Sequence, residues 1–559
     1  MGSCITKRKR NSFYGSINDS LEIENQSSSA HLFNDCDYSQ SPYDEKTCLD
    51  DLQHDIDNWI IEAERIFYDV SNIDIVNHPI ELQRLIDISS SDQGWLKIIH
   101  SLINVLGHHP PNGMFENSHI GPTIIILLFE DSPLPTRELI KDLHRLLEPY
   151  FDVRIHNPCD ENIVKHRNIC TILSFIAEKL AGSLSVDLLS SRVIKFLERI
   201  IRENHNPLHV LFALNCIEKF ALTRENKEII LKNFDICKEL LELEKYANNY
   251  FHGSLYGGQP VDYLRYQVGF CAQWCLDNVF LKKGRKLSYK KVDYSNLNAI
   301  LNGNDKTEFL KLSSNGLSAR CDTSTFECVR STCSVSSGIY YYEAIVLTSG
   351  IMQIGWATKS TNFMNHEGSG VGDDRHSIAF DGCRSVIWHG TQNYKHGLSR
   401  WNPGDVVGCL INFESRKFTF YLNGKKVEIN KKISQKLSLN FSNEPYYAAA
   451  SLMSYQQIFF NFGQSPFKYP PKKIKFMDMN STIEVANKDD IKVVPLHVMM
   501  RSCKSISFVS KRNLCTICFD RTANVRIKPC DHETICSNCI AQLEQCPFCR
   551  KEFSHYETL

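Results

Sequence analysis

The chain has 559 residues, with 63 basic and 64 acidic side chains: too long for one ordinary domain, and without a net field that would draw in nucleic acid. Its 22 cysteines form no compact framework except near the end of the chain, which is the usage of reduced thiols and not of a cross-linked secreted scaffold. The longest uncharged apolar run, Ile120 to Phe129, is half of the roughly 20 residues that a bilayer-spanning helix needs, so no membrane crossing is predicted.

The first ten residues read Met-Gly-Ser-Cys-Ile-Thr-Lys-Arg-Lys-Arg. Gly2 fits a myristoylation signal, with Thr6 where the pattern asks for a hydroxyl residue, and Cys4 could take a second, reversible acyl chain. Lys7, Arg8, Lys9 and Arg10 would face anionic lipid. One acyl chain holds a membrane only marginally, whereas a second chain or a basic patch makes the attachment firm. The expected location is therefore cytoplasmic, against an anionic membrane surface; the alternative reads the basic run as a nuclear signal. Residues 1–50 as a whole are polar, without periodic apolar positions, and are expected to be a disordered tether.

From 51 to 285 the pattern is helical. Trp95, Ile98, Ile99, Leu102, Ile103 and Leu106 fall at steps of three and four, as do Ile169, Ile172, Leu173, Ile176 and Leu180. Breaks at Pro110-Pro111, Pro133, Pro158 and Pro207 divide the region into helices of ordinary length. An all-α, armadillo/HEAT-like stack accounts for this, although no strict repeat is visible. Cys271 and Cys275, four residues apart beside Trp274, are expected to be small core residues and not metal ligands. The basic stretch Lys282 to Lys291 is expected to be a solvated connector.

From 297 to 471 the period becomes strand-like: short runs rich in Val, Ile, Tyr and Phe, separated by Gly, Asn and Asp, predict an antiparallel all-β sandwich. Gly338-Ile-Tyr-Tyr-Tyr-Glu343, Met352-Gln-Ile-Gly-Trp-Ala357, Gly370-Val-Gly-Asp-Asp374, Ala379-Phe-Asp-Gly382 and Gly404-Asp-Val-Val-Gly408 resemble stretches of the SPRY (B30.2) domain. Phe418 to Gly424 alternates and ends in an Asn-Gly hairpin turn. Gly368, Gly370 and Gly372 do not open a helix, so a phosphate-cradling loop is not expected. Asp373, Asp374 and His376 belong to the motif and are expected to fix the fold. The resemblance implies a module that recognises a protein substrate through loops. Trp388, Tyr394 and Trp401 are the candidate contacts, with burial in the sandwich the expected alternative for Trp401. Residues 472–513 read as a linker with room for one helix.

The last segment, 514–551, carries Cys515, Cys518, Cys530, His532, Cys536, Cys539, Cys546 and Cys549. These short-spaced thiol and imidazole pairs are expected to be ligands for two tetrahedral, structural Zn2+ ions, closed to substrate. A segment this short buries too little apolar surface to fold alone, so metal binding supplies most of its folding energy. The ladder resembles a C3HC4 RING. That resemblance implies a cross-brace, with one ion on Cys515, Cys518, Cys536 and Cys539 and the other on Cys530, His532, Cys546 and Cys549. It also implies a groove for a ubiquitin-conjugating enzyme from Ile517, Ile540, Leu543 and Pro547, with Arg550 bridging the enzyme and its ubiquitin.

Helical region, SPRY sandwich and C-terminal RING in this order resemble the RING finger and SPRY domain-containing protein 1 family over nearly the whole chain, including Gly269-Phe-Cys-Ala-Gln-Trp274 and Met453-Ser-Tyr-Gln-Gln457. The implied activity is that of a RING-type E3 ubiquitin ligase with no catalytic residue of its own, which orients the ubiquitin thioester on its partner. The alternative is a non-enzymatic adaptor, with the helices as a second possible receptor.

Overall fold

The computed structural model describes residues 42–68, 79–107, 120–154, 161–180, 183–203, 205–249, 262–364, 368–395, 400–482, 485, 487–502, 515, 523–541, 543, 545–547 and 552–558. It divides into two units, residues 1–493 and 494–559.

The first unit begins with helices α1 (Pro42–Tyr68), α2 (Ile80–Ile88), α3 (Asp92–Asn104), α4 (Ile120–Asp131), α5 (Arg137–Phe151), α6 (Asn162–Lys179) and α7 (Ser183–Leu188). It continues with α8 (Ser191–Glu203), α9 (Pro207–Phe220), α10 (Arg224–Asn233), α11 (Ile236–Leu243), α12 (Lys245–Asn249) and α13 (Tyr263–Asn278). α1 starts nine residues ahead of the expected boundary at 51. Pro42 occupies its first position, where a preset φ favours the helix and a missing N–H costs nothing. Side-chain caps mark other starts: Ser91 accepts from Gly94 N, Thr136 from Leu139 N, and Asn206 from Leu208 N.

A repeat that the residue types do not display is written in the contacts. Hydrogen bonds join Asp57 to Ser101, Asp92 to Thr136, His144 to Asp187, His166 to His209, Glu178 to Lys219 and Cys237 to Phe280, partners 41 to 44 residues apart. This is the period of an armadillo or HEAT repeat. α6 packs on α9 and α9 on α13, and every residue of α9 from Leu208 to Phe220 is buried, as befits a helix in the middle of a stack. The Ile120–Phe129 run is α4, buried among its neighbours. Among the described residues no helix is long and apolar enough to cross a membrane.

The basic stretch after α13 is solvated as expected at Lys282, Lys283, Lys286, Lys290 and Lys291, all exposed, but not at Arg285. Arg285 is buried and reaches Glu244 Oε2 and Asp277 Oδ1, both at 2.6 Å. Asp277 in turn accepts the N–H of Ser288, so a guanidinium between two carboxylates ties this segment to α13.

The strands are β1 (Leu301–Lys306), β2 (Lys311–Leu312), β3 (Ser318–Cys321), β4 (Glu327–Val335), β5 (Ile339–Val346), β6 (Met352–Thr358), β7 (Ser377–Asp381) and β8 (Val386–His389). β9 (Gln392–Lys395), β10 (Val406–Asn412), β11 (Lys417–Leu422), β12 (Lys425–Lys426), helix α14 (Lys431–Leu439), β13 (Tyr446–Leu452), β14 (Gln456–Asn461), β15 (Met477–Asp478) and helix α15 (Met479–Thr482) follow. One sheet has the order β1-β4-β13-β6-β7-β8-β9; the other runs β12-β11-β10-β5-β14-β3-β2, with β15 added parallel to β5. Inward residues of both sheets, among them Tyr342, Trp356, Phe380, Phe420 and Phe460, make one core. Asn423 and Gly424 have φ of 50° and 77°, the left-handed pair of the expected hairpin turn between β11 and β12.

The expected linker from 472 belongs to the sandwich as far as 493. Met479 is fully buried, and Asn480 Oδ1 accepts from Asn298 N at 2.8 Å while its Nδ2 donates to Asn296 O. Lys488 Nζ donates to Leu297 O at 2.8 Å. Its polar composition hides this role, because the polar groups pair with the backbone that opens the sandwich.

The second unit holds α16 (Leu496–Ser502), β16 (Val525–Lys528), β17 (His532–Ile535), the single turn α17 (Ser537–Ile540) and β18 (His555–Thr558). The sheet order is β17-β16-β18, so the module extends past the expected end at 551.

Candidate metal centre

The hairpin of β16 and β17 presents Cys530 and His532 at its turn. Cys536 follows β17 at the start of α17, and Cys539 lies one turn on; Asn524 Oδ1 accepts the Ser537 N–H at 2.9 Å and fixes that turn. The side chains gather into two sets, Cys515 with Cys536 and Cys539, and Cys530 with His532 and Cys546. Within each set the ligand atoms lie within 4.8 Å of one another. A tetrahedral zinc site with thiolates has ligand–ligand edges of about 3.8 Å, and Cys546 Sγ stands 3.5 Å from His532 Nδ1. Donor chemistry and spacing both fit zinc. Three of the four ligands expected for each ion are brought together in this partition; Cys518 and Cys549 lie outside the described residues.

The apolar core beneath these clusters is small: Val525, Ile527, Ile535 and Ile540 are fully buried beside Cys515, Cys536 and Cys546, with Leu543 and Phe553 at the margin. So slight a core fits a module that depends on its metal for stability. Among the expected groove residues, Pro547 is exposed and Leu543 half-buried. Ile540 is fully buried in this core and offers no surface, a correction that follows from the module's having few other apolar side chains to fill it. Ile517 and Arg550 lie outside the described residues, as do Gly2 and Cys4.

The three aromatic candidates on the sandwich do not form one surface. Trp401 is only 5% exposed, edge-on to Phe380 with ring centroids 4.9 Å apart. It lies so close over Gly382 that a Cβ there would fall 1.8 Å from the ring; it is a core residue. Ile387 pairs with Tyr394 in register while Trp388 pairs with Asn393. The two-residue period of a strand therefore sends Trp388 and Tyr394 to opposite faces. Trp388 is half-buried, with the Arg384 guanidinium 4.6 Å from its ring and its Nε1 donating to Asp381.

The acidic motif residues do fix the fold. Asp374 accepts from His376 N and Ser377 Oγ, and Asp373 from Gly370 N at 2.7 Å. Burial pushes the Asp373 carboxyl up to about 6, against the pull of the Gly370 N–H and Arg384. Cys271 and Cys275 are buried as expected, and burial raises the Cys271 thiol to about 12.

What the residue pattern did not reveal is a buried ionic joint between helices and sandwich. Lys311 Nζ reaches Glu218 Oε2 of α9 and Asp322 Oδ2 just after β3. Arg320 reaches Asp322 at 2.7 Å and donates to Gln267 of α13 and Gln457 of β14. Lys311 also sits 4.6 Å from the Trp274 ring, and Tyr455, with φ of 60°, packs on Phe212 of α9. The two segments Gly269–Trp274 and Met453–Gln457, singled out above only as a resemblance, thus meet at this joint.

Residues 339–465 match the SPRY domain family, and 511–556 match the zinc finger, C3HC4 type (RING finger). The chain is 38% identical over 145 residues to the E3 ubiquitin-protein ligase RKP of Arabidopsis thaliana, covering 26% of this chain and 11% of that protein. It is 27% identical over 171 residues to the ATP-dependent RNA helicase Ddx1 of Drosophila melanogaster, 30% of this chain and 22% of that one. The crystal structure of the SPRY domain of human HERC1 aligns over 30% of this chain and 99% of its own, with 13% identity and a TM-score of 0.25. The chain thus spans about a tenth and a fifth of the two curated relatives, whose activities differ; function has to be argued from the site. By both domain matches and by its two ligand clusters, the chain is a protein with a SPRY domain and a C-terminal C3HC4 RING finger, the domain pair of the RING finger and SPRY domain-containing proteins.

Proposed function

We propose that this protein is a RING-type E3 ubiquitin ligase that binds a ubiquitin-loaded conjugating enzyme through the zinc module and a protein substrate through the SPRY sandwich. The observation that carries the reading is the partition of the ligands into two interleaved sets, together with the match to the RING finger and the likeness to a ubiquitin ligase. Two structural zinc ions, one for each set, hold the loops in place. A closed zinc site has no open position for substrate, so the chemistry belongs to the partner's thioester. The RING residues contribute by docking and orienting, an effect of proximity and restricted geometry. Exposed Pro547 and half-buried Leu543 are the described side chains available for docking, with Ile517 and Arg550 proposed beside them. Acylation of Gly2 and Cys4, which would hold the ligase at a membrane, belongs to the same proposal; loss of the membrane fraction in Gly2→Ala tests it. The ligase reading is tested by ubiquitin discharge from a panel of charged conjugating enzymes: acceleration by the zinc-loaded chain supports it, and none across the panel leaves the adaptor reading.

A further inference from the structure

The outer face of the sheet that starts at β12 carries a strongly basic surface outside both sites described above. After β14 the chain crosses this face: Phe467 and Phe476 pack against Tyr341, at ring-centroid distances of 5.0 and 5.1 Å. The Tyr341 hydroxyl donates to Tyr469 O at 3.1 Å, and buried Glu343 accepts the N–H groups of Lys468 and Tyr469, both at 2.7 Å. The crossing segment reads Lys468-Tyr-Pro-Pro-Lys-Lys-Ile-Lys475, four lysines and no acid in eight residues. Lys468, Lys472, Lys473 and Lys475 are all exposed.

Strand register adds to the patch. Lys426 is paired with Tyr421, which packs with Tyr341 on this outer face. Lys417 lies four residues before Tyr421 on β11, so the two-residue period puts it on the same side. A Cβ at Gly424 would touch the Tyr469 ring, which places the β12 edge beside the crossing segment. The acids at hand are few: Glu428 is 3.5 Å from Lys426, Glu414 lies in the β10–β11 turn, Asp478, in register with Tyr341, accepts the Ser481 N–H at 2.6 Å, and Glu343 is occupied by two backbone N–H groups and lies in the field of Lys468. Among the described residues Lys472, Lys473 and Lys475 have no ion pair. Between Lys473 and Lys475, Ile474 is 36% exposed, on a segment stiffened by Pro470-Pro471.

We infer that this face docks on an anionic membrane surface, with Lys472, Lys473 and Lys475 at the headgroups and Ile474 entering the interface. An acidic protein or a nucleic acid would be met by charge alone. A partly exposed apolar side chain set in a turn between lysines, on a proline-stiffened segment that carries no acid, instead matches the layered chemistry of a lipid surface, charge outside and hydrocarbon beneath. Each lysine near such a surface contributes about fivefold in partitioning, and the attraction is screened within a Debye length. The inference does not depend on ligase activity or on acylation.

The full chain, purified without acyl groups, is sedimented with vesicles of phosphatidylcholine alone and of phosphatidylcholine with phosphatidylserine. The expected result is partitioning to the anionic vesicles only, lost in high salt. Neutralising Lys472, Lys473 and Lys475 to Gln reduces it roughly a hundredfold; Ile474→Ser weakens it by a smaller factor. Replacing the four basic residues 7–10 by Gln separates the two basic regions: the variant retains the part that the 472–475 change removes. Partitioning unchanged by the triple substitution would overturn the inference, as would a preference for a polyglutamate peptide or an oligonucleotide over the anionic vesicles.

Discussion

Lys311 of the sandwich and Glu218 of the helical stack form a buried ion pair, Nζ to Oε2 at 2.5 Å, with both side chains nearly sealed from solvent. Asp322 completes the neutralisation of Lys311 at 2.8 Å and is itself shared with Arg320. Removing one member strands a charge that water cannot reach. Lys311→Met should destabilise the first unit by about 3–5 kcal/mol, read as a shift of the urea midpoint. Lys311→Met combined with Glu218→Gln should be less destabilised than the single variant, since Asp322 keeps Arg320.

The same joint sets an acid limit. Burial alone would raise the Asp322 carboxyl, but Arg320 and Lys311 outweigh it and hold the group below its ordinary 3.8. A depressed folded value means that its stabilisation is present above pH 3.8 and is lost as pH falls below. Asp373 has the opposite sign, raised by burial from 3.8 to about 6. Its folded state binds the proton more tightly, so its contribution is lost as pH rises from about 4 through 6. Asp373→Asn should therefore gain stability at pH 7, by up to about 3 kcal/mol, and little at pH 4. Urea titrations of parent and variant at the two pH values check this.

Trp401 and Trp388 separate packing from recognition. Trp401→Ala opens a cavity between Phe380 and Gly382 and should cost about 3–5 kcal/mol. Trp388→Ala, at a half-buried position, should cost less than half of that while lowering partner recovery in a pull-down. Equal stability losses for both would contradict the placement of Trp401 in the core.

How much of this was legible in the sequence follows from the range of the forces involved. Zinc ligands come in pairs two or three positions apart, so Cys515 to Cys549 declare themselves locally, and the alternation of Phe418 to Leu422 before Asn423-Gly424 does the same for a hairpin. The helical repeat was not legible, because its period resides in contacts such as His166 with His209 and not in recurring residue types. Arg285 read as a solvated charge within a basic run, since its carboxylates, Asp277 and Glu244, precede it by 8 and 41 residues and no local spacing announces them. Asn480 hid the extension of the sandwich because its partners at 296–298 precede it by nearly the whole domain.

Metal dependence should be confined to the second unit. Cys536→Ser or Cys546→Ser each removes a ligand from a different set and should release zinc and unfold the module, by the typical ~10–16 kcal/mol that a structural zinc contributes. The first unit, with its own cores, should keep its urea midpoint. Zinc content and circular dichroism of each variant, with and without chelator, read the two outcomes separately.

The most direct test of the ligase account is single-turnover discharge of ubiquitin from charged conjugating enzymes by the full, zinc-loaded chain. The account predicts acceleration with at least one enzyme of the panel. Ile517→Ala and Arg550→Ala should abolish it at unchanged zinc content, and Ile540→Ala should act through loss of folding. A folded, zinc-replete chain that leaves every discharge rate at its uncatalysed value would contradict the account.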